Sequence, residues 1–354
     1  MSGGLALVNG AGVAGLTSAH LLAARGWRVD CAPGSQAPGP VVVVGRPTAD
    51  LLLELWQADE TLFEGAHRLQ GRVIHWEPGA SSAFSPAPAL AMPVDVLRAR
   101  LAERARAAGV RFVAPGQVDP ASYDRVVQAG GRAVSPDASL AFGRRRGVAA
   151  SIKLTSHART DRAVMESVPG GWLFLIPRGL GRGALQAVFA GDVADPGADL
   201  QRLLAHSRVM SLLIEEIVDD HAGFVAMPRL AAEPCTSRSI VVGDAAMTLD
   251  PMSGNGIGSG LKSALLAAAV LDAARRETVP QACFDHYAQR LRDAQRSHVR
   301  TCIDFYGRSA HAADWQEEIG RMSEALDRLP RDPDLSPFRL NNGRLDRVTA
   351  TATT

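Results

Sequence analysis

The sequence predicts an α/β protein with a Rossmann-like unit, a sheet-rich portion and C-terminal helices. Three observations carry that expectation. An apolar strand at 5–8 runs into Gly10-Ala11-Gly12-Val13-Ala14-Gly15, then a helix through Ala24 ended by Gly26, then a second strand at 27–31. Near residue 240 another short apolar strand leads into a glycine-rich loop and an alanine- and leucine-rich helix. Between these two punctuated segments, four stretches alternate like strands, with turn residues between them.

Composition narrows the class. A chain of 354 residues exceeds the usual single domain, and 46% hydrophobic content against 21% charged allows a large core. The formal net charge of +1 offers no attraction to nucleic acid. Lys153 and Lys262 are the only lysines; the other basic residues are arginine. Cys31, Cys235, Cys283 and Cys302 have neither CxxC nor metal spacing, so no metal is expected and reduced thiols in a cytoplasmic protein are. The apolar stretch at 261–274 contains Lys262 and Asp272 and reads as too short to span a bilayer. No membrane partner is expected.

In chain order, Gly10 makes a tight turn, Gly12 admits a pyrophosphate and Gly15 lets the first helix pack close, since GxGxxG lies after a strand and before a helix. A short strand is expected at 41–44 and an amphipathic helix at 48–59, with Leu51, Leu52, Leu55 and Trp56 on one side. Residues 71–77 alternate like a strand, while 80–93, rich in Pro, Ser and Ala, reads as a surface loop. A helix at 94–108 and strands at 110–114 and within 123–131 follow, then strands at 148–154, 163–167, 171–176 and 185–190. Trp172, Phe174 and Ile176 fall on one face of the third of these by strand alternation. Residues 199–220 and 283–306 read as helices, the second with a dense arginine face; Arg296, Arg300 and, just beyond it, Arg308 read as solvated, with an acidic partner surface as the alternative. Residues 331–354 read as a loosely attached tail.

The second glycine motif is the more specific. Gly243-Asp244 follows the strand at 240–242, and Asp250-Pro251 precedes Gly254-Asn255-Gly256-Ile257 at the helix start. Helix N-termini leave their first N–H groups unpartnered, and glycines let a flat ligand approach the main chain. This pattern, GDAAxxxDPxxGxGxxxGL, resembles the second flavin motif of FAD-dependent monooxygenases of the para-hydroxybenzoate hydroxylase fold and of the related flavin-dependent halogenases. The resemblance implies an α/β fold in which a β-sheet substrate domain is inserted into a Rossmann-like FAD-binding domain, followed by C-terminal helices. It assigns 1–45, 94–147 and 235–275 to the FAD-binding domain, 46–93 and 148–234 to the substrate domain, 276–330 to a C-terminal helical segment and 331–354 to a flexible tail. It also implies that Gly10, Gly12, Val13, Ala14 and Gly15 hold the pyrophosphate end of FAD. Gly243 and Asp244 would then hold the ribityl chain, Pro251 would lie beside the isoalloxazine, and Gly254, Asn255, Gly256 and Ile257 would face its pyrimidine end.

The departures from that family are informative. About eighteen positions after the last glycine of GxGxxG the family carries a ribose-binding acid, and here Pro33 stands there, with Asp30 pointing to the other face. Weaker FAD affinity follows. Gly130-Gly131 replaces an Asp-Gly or Ser-Gly pair, and Met247 occupies a position often held by histidine. Gly171-Trp172-Leu173-Phe174-Leu175-Ile176-Pro177 resembles the WxWxIP signature of the halogenases, placing Trp172 and Phe174 as candidates for the substrate pocket or, equally, for core. The halogenases relay hypohalous acid through a lysine downstream of GxGxxG, and no lysine precedes Lys153. What the resemblance implies is therefore an oxygenase acting through a C4a-hydroperoxyflavin on an electron-rich substrate. The nearest branch includes flavoproteins that hydroxylate tryptophan in a partner protein. Molecular oxygen and a small aromatic or peptide substrate are the expected partners, with NAD(P)H or a flavin reductase as electron donor. No catalytic base can be selected; His67, His75 and His157 read as structural or exposed. A reductase of the geranylgeranyl-reductase type and a binding module with weak FAD affinity are the alternatives.

Overall fold

The computed structural model describes residues 4–34, 39–78, 83–131, 138–218, 221–331 and 337–348. The chain opens with β1 (Leu5–Asn9), α1 (Val13–Ala24), β2 (Arg28–Ala32), β3 (Val41–Gly45) and α2 (Arg46–Trp56). It continues through β4 (His67–His75), β5 (Ala83–Pro93), α3 (Val94–Ala107), β6 (Arg111–Phe112), β7 (Arg125–Gln128) and β8 (Ser139–Ala141). Next come β9 (Arg146–Leu154), β10 (Arg162–Val168), β11 (Gly171–Gly179), β12 (Arg182–Phe189) and α4 (Pro196–Ala205). Four short strands follow: β13 (Ile214–Ile217), β14 (Ala222–Val225), β15 (Arg229–Ala231) and β16 (Ser239–Val241). Finally there are β17 (Met247–Thr248), α5 (Gly256–Ala274), α6 (Gln281–Gly307), α7 (Gln316–Arg328), β18 (Phe338–Asn341) and β19 (Arg344–Arg347).

The first sheet is parallel, in the order β16-β7-β1-β2-β6. Its central strand, β1, is buried through Ala6, Leu7 and Val8, as a parallel strand covered on both faces must be. The second sheet runs β13-β9-β12-β11-β10-β4-β5-β3, with β14 also on β9. It is mostly antiparallel, apart from the parallel pair β4–β10. Its β11 is buried on both faces. Trp172 joins the large core shared with the first sheet, while Leu173 and Leu175 join a second core with Leu200 and Leu203 of α4.

Several local expectations are corrected. Residues 83–93 are not a loop but β5, paired with both β3 and β4. Its prolines fall where little is lost: Pro86 and Pro88 lie at the edge of and within a register irregularity, and Pro93 ends the strand. The helix expected at 199–220 stops at Ala205, and its apolar residues beyond that point belong to a 3-10 turn and to the edge strand β13. Within the expected tail, β18 and β19 form a hairpin whose Phe338 and Leu345 are buried. Arg25, which caps the end of α1, donates to its Gly343 carbonyl at 2.7 Å. By length and apolarity α5 is long enough to cross a membrane, contrary to the sequence reading, but 72% of it is buried inside the fold as a core helix.

The packing of α1 depends on one missing atom. A Cβ at Gly15 would lie 2.0 Å from the Gly10 carbonyl oxygen and 2.9 Å from Ala129 Cβ. Gly15→Ala should therefore cost about 2 kcal/mol or more, read as a lowered midpoint in denaturant unfolding; an unchanged midpoint would show that α1 can shift without penalty.

Candidate functional site

Two helix N-termini meet at one place. α1 starts after Gly12 and α5 after Asn255, and neither has a capping side-chain hydrogen bond nor an acidic residue in its first turn. Most helices cover these donors with Ser, Thr, Asp or Asn. Left open, the N–H groups and the positive ends of both macrodipoles favour anionic or carbonyl oxygens.

Glycine brings the two helices together and keeps their tips clear. A Cβ on Gly243 would lie 2.7 Å from Ala14 Cβ, and one on Gly260 would lie 3.4 Å from it. Gly243 also turns at φ +65 and donates its N–H to Ser263 Oγ of α5 at 2.9 Å. Gly10, at φ +115, makes the tight turn into α1 and has no room for a side chain beside the Ala129 carbonyl. By contrast, a Cβ on Gly12, Gly254 or Gly256 would meet nothing within 4 Å. These three face open space and form the rim of a cradle. Val13, Ala14 and Ile257 lie in the first helical turns, partly buried, and Asp244 sits in the turn after β16, also partly buried. Asn255 approaches Thr48 of α2 at 3.5 Å, which sets a third helix start next to the loop.

Behind the loop lies a buried ionic network. Asp250 is fully buried, and each of its polar atoms is engaged. Oδ1 accepts from the Met252 N–H at 3.0 Å. Oδ2 accepts from Tyr306 Oη and pairs with Arg145 Nη2, both at 3.0 Å. The carbonyl accepts from Ser253 Oγ at 2.8 Å, and the N–H donates to His298 Nε2 at 2.8 Å. Arg145, at the entry to β9, is also fully buried; its Nη1 bonds Glu318 of α7 at 3.0 Å, and Glu318 in turn holds Arg321 at 2.7 Å. Burial alone would lower the Arg145 pKa, but Asp250, Tyr306 and Glu318 outweigh it and raise the value. Burial, then Asp250, pushes the Tyr306 phenol well above its ordinary value, so it stays a donor. Tyr306 also accepts the indole N–H of Trp172 at 3.1 Å and lies against Trp315 with ring centroids 4.2 Å apart.

The sequence-derived candidates fall into three groups. The glycine-motif residues converge as described. Trp172 and Phe174 separate: Trp172 is wholly buried and bonded to Tyr306, so it supports the site from behind, whereas Phe174 is partly exposed on the same strand face. Asp30 cannot stand in for the acid missing at Pro33. Arg111 holds both its oxygens at 2.6 and 2.7 Å, Tyr123 donates to it at 2.6 Å, and these bonds to Arg111 lower its pKa. His67 bonds the Thr160 carbonyl, His75 is partly buried in β4, and His157 is exposed. Arg296, expected on a solvated face, donates to the carbonyls of Leu329 and Pro330 and fastens the end of α7. Among the described residues no cluster of metal-ligating side chains occurs, and the four cysteines are unpaired. Sequence reading missed Arg145, His298 and Tyr306. The last two share with Cys302 the spacing i, i+4, i+8 that puts all three on one face of α6.

No model of a known protein family matches the chain, and no curated protein does. Solved structures do. The peptidyl tryptophan dihydroxylase QhpG, essential for tryptophylquinone cofactor biogenesis, superposes with a TM-score of 0.76 at 21% identity over 98% of this chain and 86% of its own. The flavin-dependent halogenase CmlS gives 0.75 at 17% identity over 95% and 74%. The myxobacterial chondrochloren halogenase CndH gives 0.76 at 16% over 93% and 90%. At these identities the likeness shows the fold, and it is the fold of the halogenase-like branch that the glycine motifs resemble.

Removing one member of the ionic network should be costly. Arg145→Met leaves Asp250 and Glu318 buried without their shared cation, and a loss of about 3–5 kcal/mol is expected. Equilibrium urea unfolding measures it, and a loss below about 1 kcal/mol would show that water or rearrangement replaces the guanidinium.

Proposed function

We propose that the protein is an FAD-dependent monooxygenase acting on an electron-rich aromatic substrate, with an indole, free or borne on a peptide, as the first substrate class to test. The observation that carries the reading is the pair of uncapped, glycine-rimmed helix N-termini held together by Ala14, Gly243 and Gly260. The residues present fit the cofactor. Gly12 and the first turn of α1 offer N–H groups to a pyrophosphate, with space where a Cβ would intrude. Asp244 is placed for the ribityl hydroxyls. Gly254 to Ile257 at the start of α5 would face the pyrimidine end of the flavin, where the positive helix end favours the negative charge of the reduced ring. FAD, when bound, supplies the electron transfer and oxygen activation. The protein's part is to bind, orient and dry the site, with Phe174 the partly exposed aromatic on the sheet that would face the ring.

The structural neighbours are a tryptophan dihydroxylase and halogenases, and lysine placement favours the first chemistry. Lys153 is paired with Glu215 at 2.8 Å on a strand of the second sheet, and Lys262 is exposed on α5. Neither stands in the first part of the chain, where the halogenase relay lysine belongs. NAD(P)H or a partner reductase is the electron donor this reading requires.

Binding and turnover test the proposal separately. Purified protein titrated with FAD should quench flavin fluorescence, and Gly12→Ala should weaken binding about tenfold, near 1.4 kcal/mol, with no change in unfolding midpoint. Aerobic incubation of the reduced holoprotein with indoles and tryptophan peptides should give products heavier by oxygen. A halogenated product in the presence of halide, or a reduced product without added oxygen, would overturn the oxygenase assignment. With Pro33 in place of an acid and Asp30 committed to Arg111, FAD should be lost on extensive dialysis; stoichiometric retention would show that other groups grip the adenosine.

A further inference from the structure

Three polar side chains on one face of α6 point at the loop that precedes α5. His298 Nε2 accepts the main-chain N–H of Asp250 at 2.8 Å, Cys302 Sγ lies 3.4 Å from the same nitrogen, and Tyr306 Oη holds the Asp250 carboxylate at 3.0 Å. The two ends of one residue are thus read by one helix. Asp250 immediately precedes Pro251, and five residues after Pro251 comes Gly256, the uncapped start of α5. The direction in which Pro251 and the α5 N–H groups present themselves is therefore set from behind, by α6.

The two contacts differ chemically. Tyr306 keeps its proton across the neutral range, because burial and then Asp250 push the phenol well above its ordinary value. His298 is different: to accept an N–H at Nε2 the ring must be uncharged, with its proton on Nδ1. A protonated ring has no acceptor, and the Asp250 N–H, in a wholly buried residue, would be left facing a donor.

We propose that His298 is a positioning residue of the cofactor loop, its neutral Nε2 fixing the Asp250 main chain in the orientation that FAD binding requires. The inference rests on the FAD reading above. The groups acting on the imidazole are Asp250 from the loop, Arg145 from the entry to β9, and Cys302 from α6 itself. Burial lowers the His298 pKa most, Asp250 opposes this, and Arg145 adds to the lowering. The sign follows. With the folded value below the ordinary one, the loop contact is fully present above the ordinary histidine range and is lost as pH falls through the lowered value. FAD affinity should weaken in the same direction.

The test compares FAD dissociation constants from about pH 8 to about pH 5 for the wild type and three variants. In the wild type, binding should weaken as pH falls toward the acid end. His298→Gln supplies an acceptor oxygen that does not titrate there. It should bind FAD within about threefold of wild type at the alkaline end and show a flat profile. His298→Ala should be weaker throughout, by about tenfold. Tyr306→Phe should weaken binding but keep the wild-type slope, since it removes the non-titrating contact. The outcomes separate the two claims. If the wild type binds no FAD at any pH, the cofactor reading falls and this one with it. If wild type and His298→Gln bind FAD with the same slope, the cofactor reading stands and the role of His298 is refuted.

Discussion

One carboxylate organises this molecule. Asp250 is wholly buried between the entry to the second sheet and the C-terminal helices, and an uncompensated charge there would be prohibitive. Arg145 comes from the second sheet, Tyr306 and His298 from α6, and Glu318 reaches the same guanidinium from α7. Each of these elements must reach its place for Asp250 to be satisfied. Buried ion pairs are seldom strong contributors to stability over apolar residues of like volume. Their value here is selective: a misplaced α6 or α7 leaves a charge unpaired, so few alternative packings compete.

The glycines act on the other side of the same loop. Gly10, Gly15 and Gly243 are required by contact, because a Cβ at any of them would overlap a neighbour. Gly12 and Gly256 are required by no contact within the chain and by no left-handed backbone angle, whereas Gly254, which also faces open space, turns at φ +59. A glycine costs backbone entropy relative to alanine, so positions that the fold itself does not need to be glycine point outward to a ligand. The distinction between the two sets of glycines, invisible in the motif as written, follows from the coordinates and turns a pattern into a cradle with an inner and an outer wall.

How much was legible beforehand follows from the range of the forces involved. The βαβ unit and the strand–loop–helix at 240–274 were readable because each is local: alternation, glycine turns and helix starts are set by neighbours in the chain. Residues 83–93 were misread because prolines at the strand's irregular and terminal positions look, in sequence, like a loop. The span 199–220 was misread because Leu212, Leu213, Ile214 and Ile217 suit a helix face as well as a strand edge, and packing on β9 decided. The hairpin at 338–347 takes its order from Phe338 and Leu345 reaching a distant core. Arg145 gave no signal, since one arginine among so many is ordinary until two carboxylates from residues 250 and 318 are seen around it. His298 and Tyr306 left a trace in their one-face spacing, which becomes meaningful only when the opposing element is known.

The connectivity of the first sheet has a consequence for biosynthesis. β1 lies at its centre, yet β7 and β16, on one side of it, come from around residues 125 and 240, and α5, against which α1 packs, begins at 256. The hairpin at 338–347, which grips Arg25 through the Gly343 carbonyl, comes later still. A nascent chain therefore carries α1 and the glycine turn before it without the surfaces that cover them until these later segments are made. Contacts this distant close slowly. A segment made before the surfaces that cover it is thus among the last to be sheltered, and chaperone demand should fall on it rather than on the sheet formed by residues 146–189.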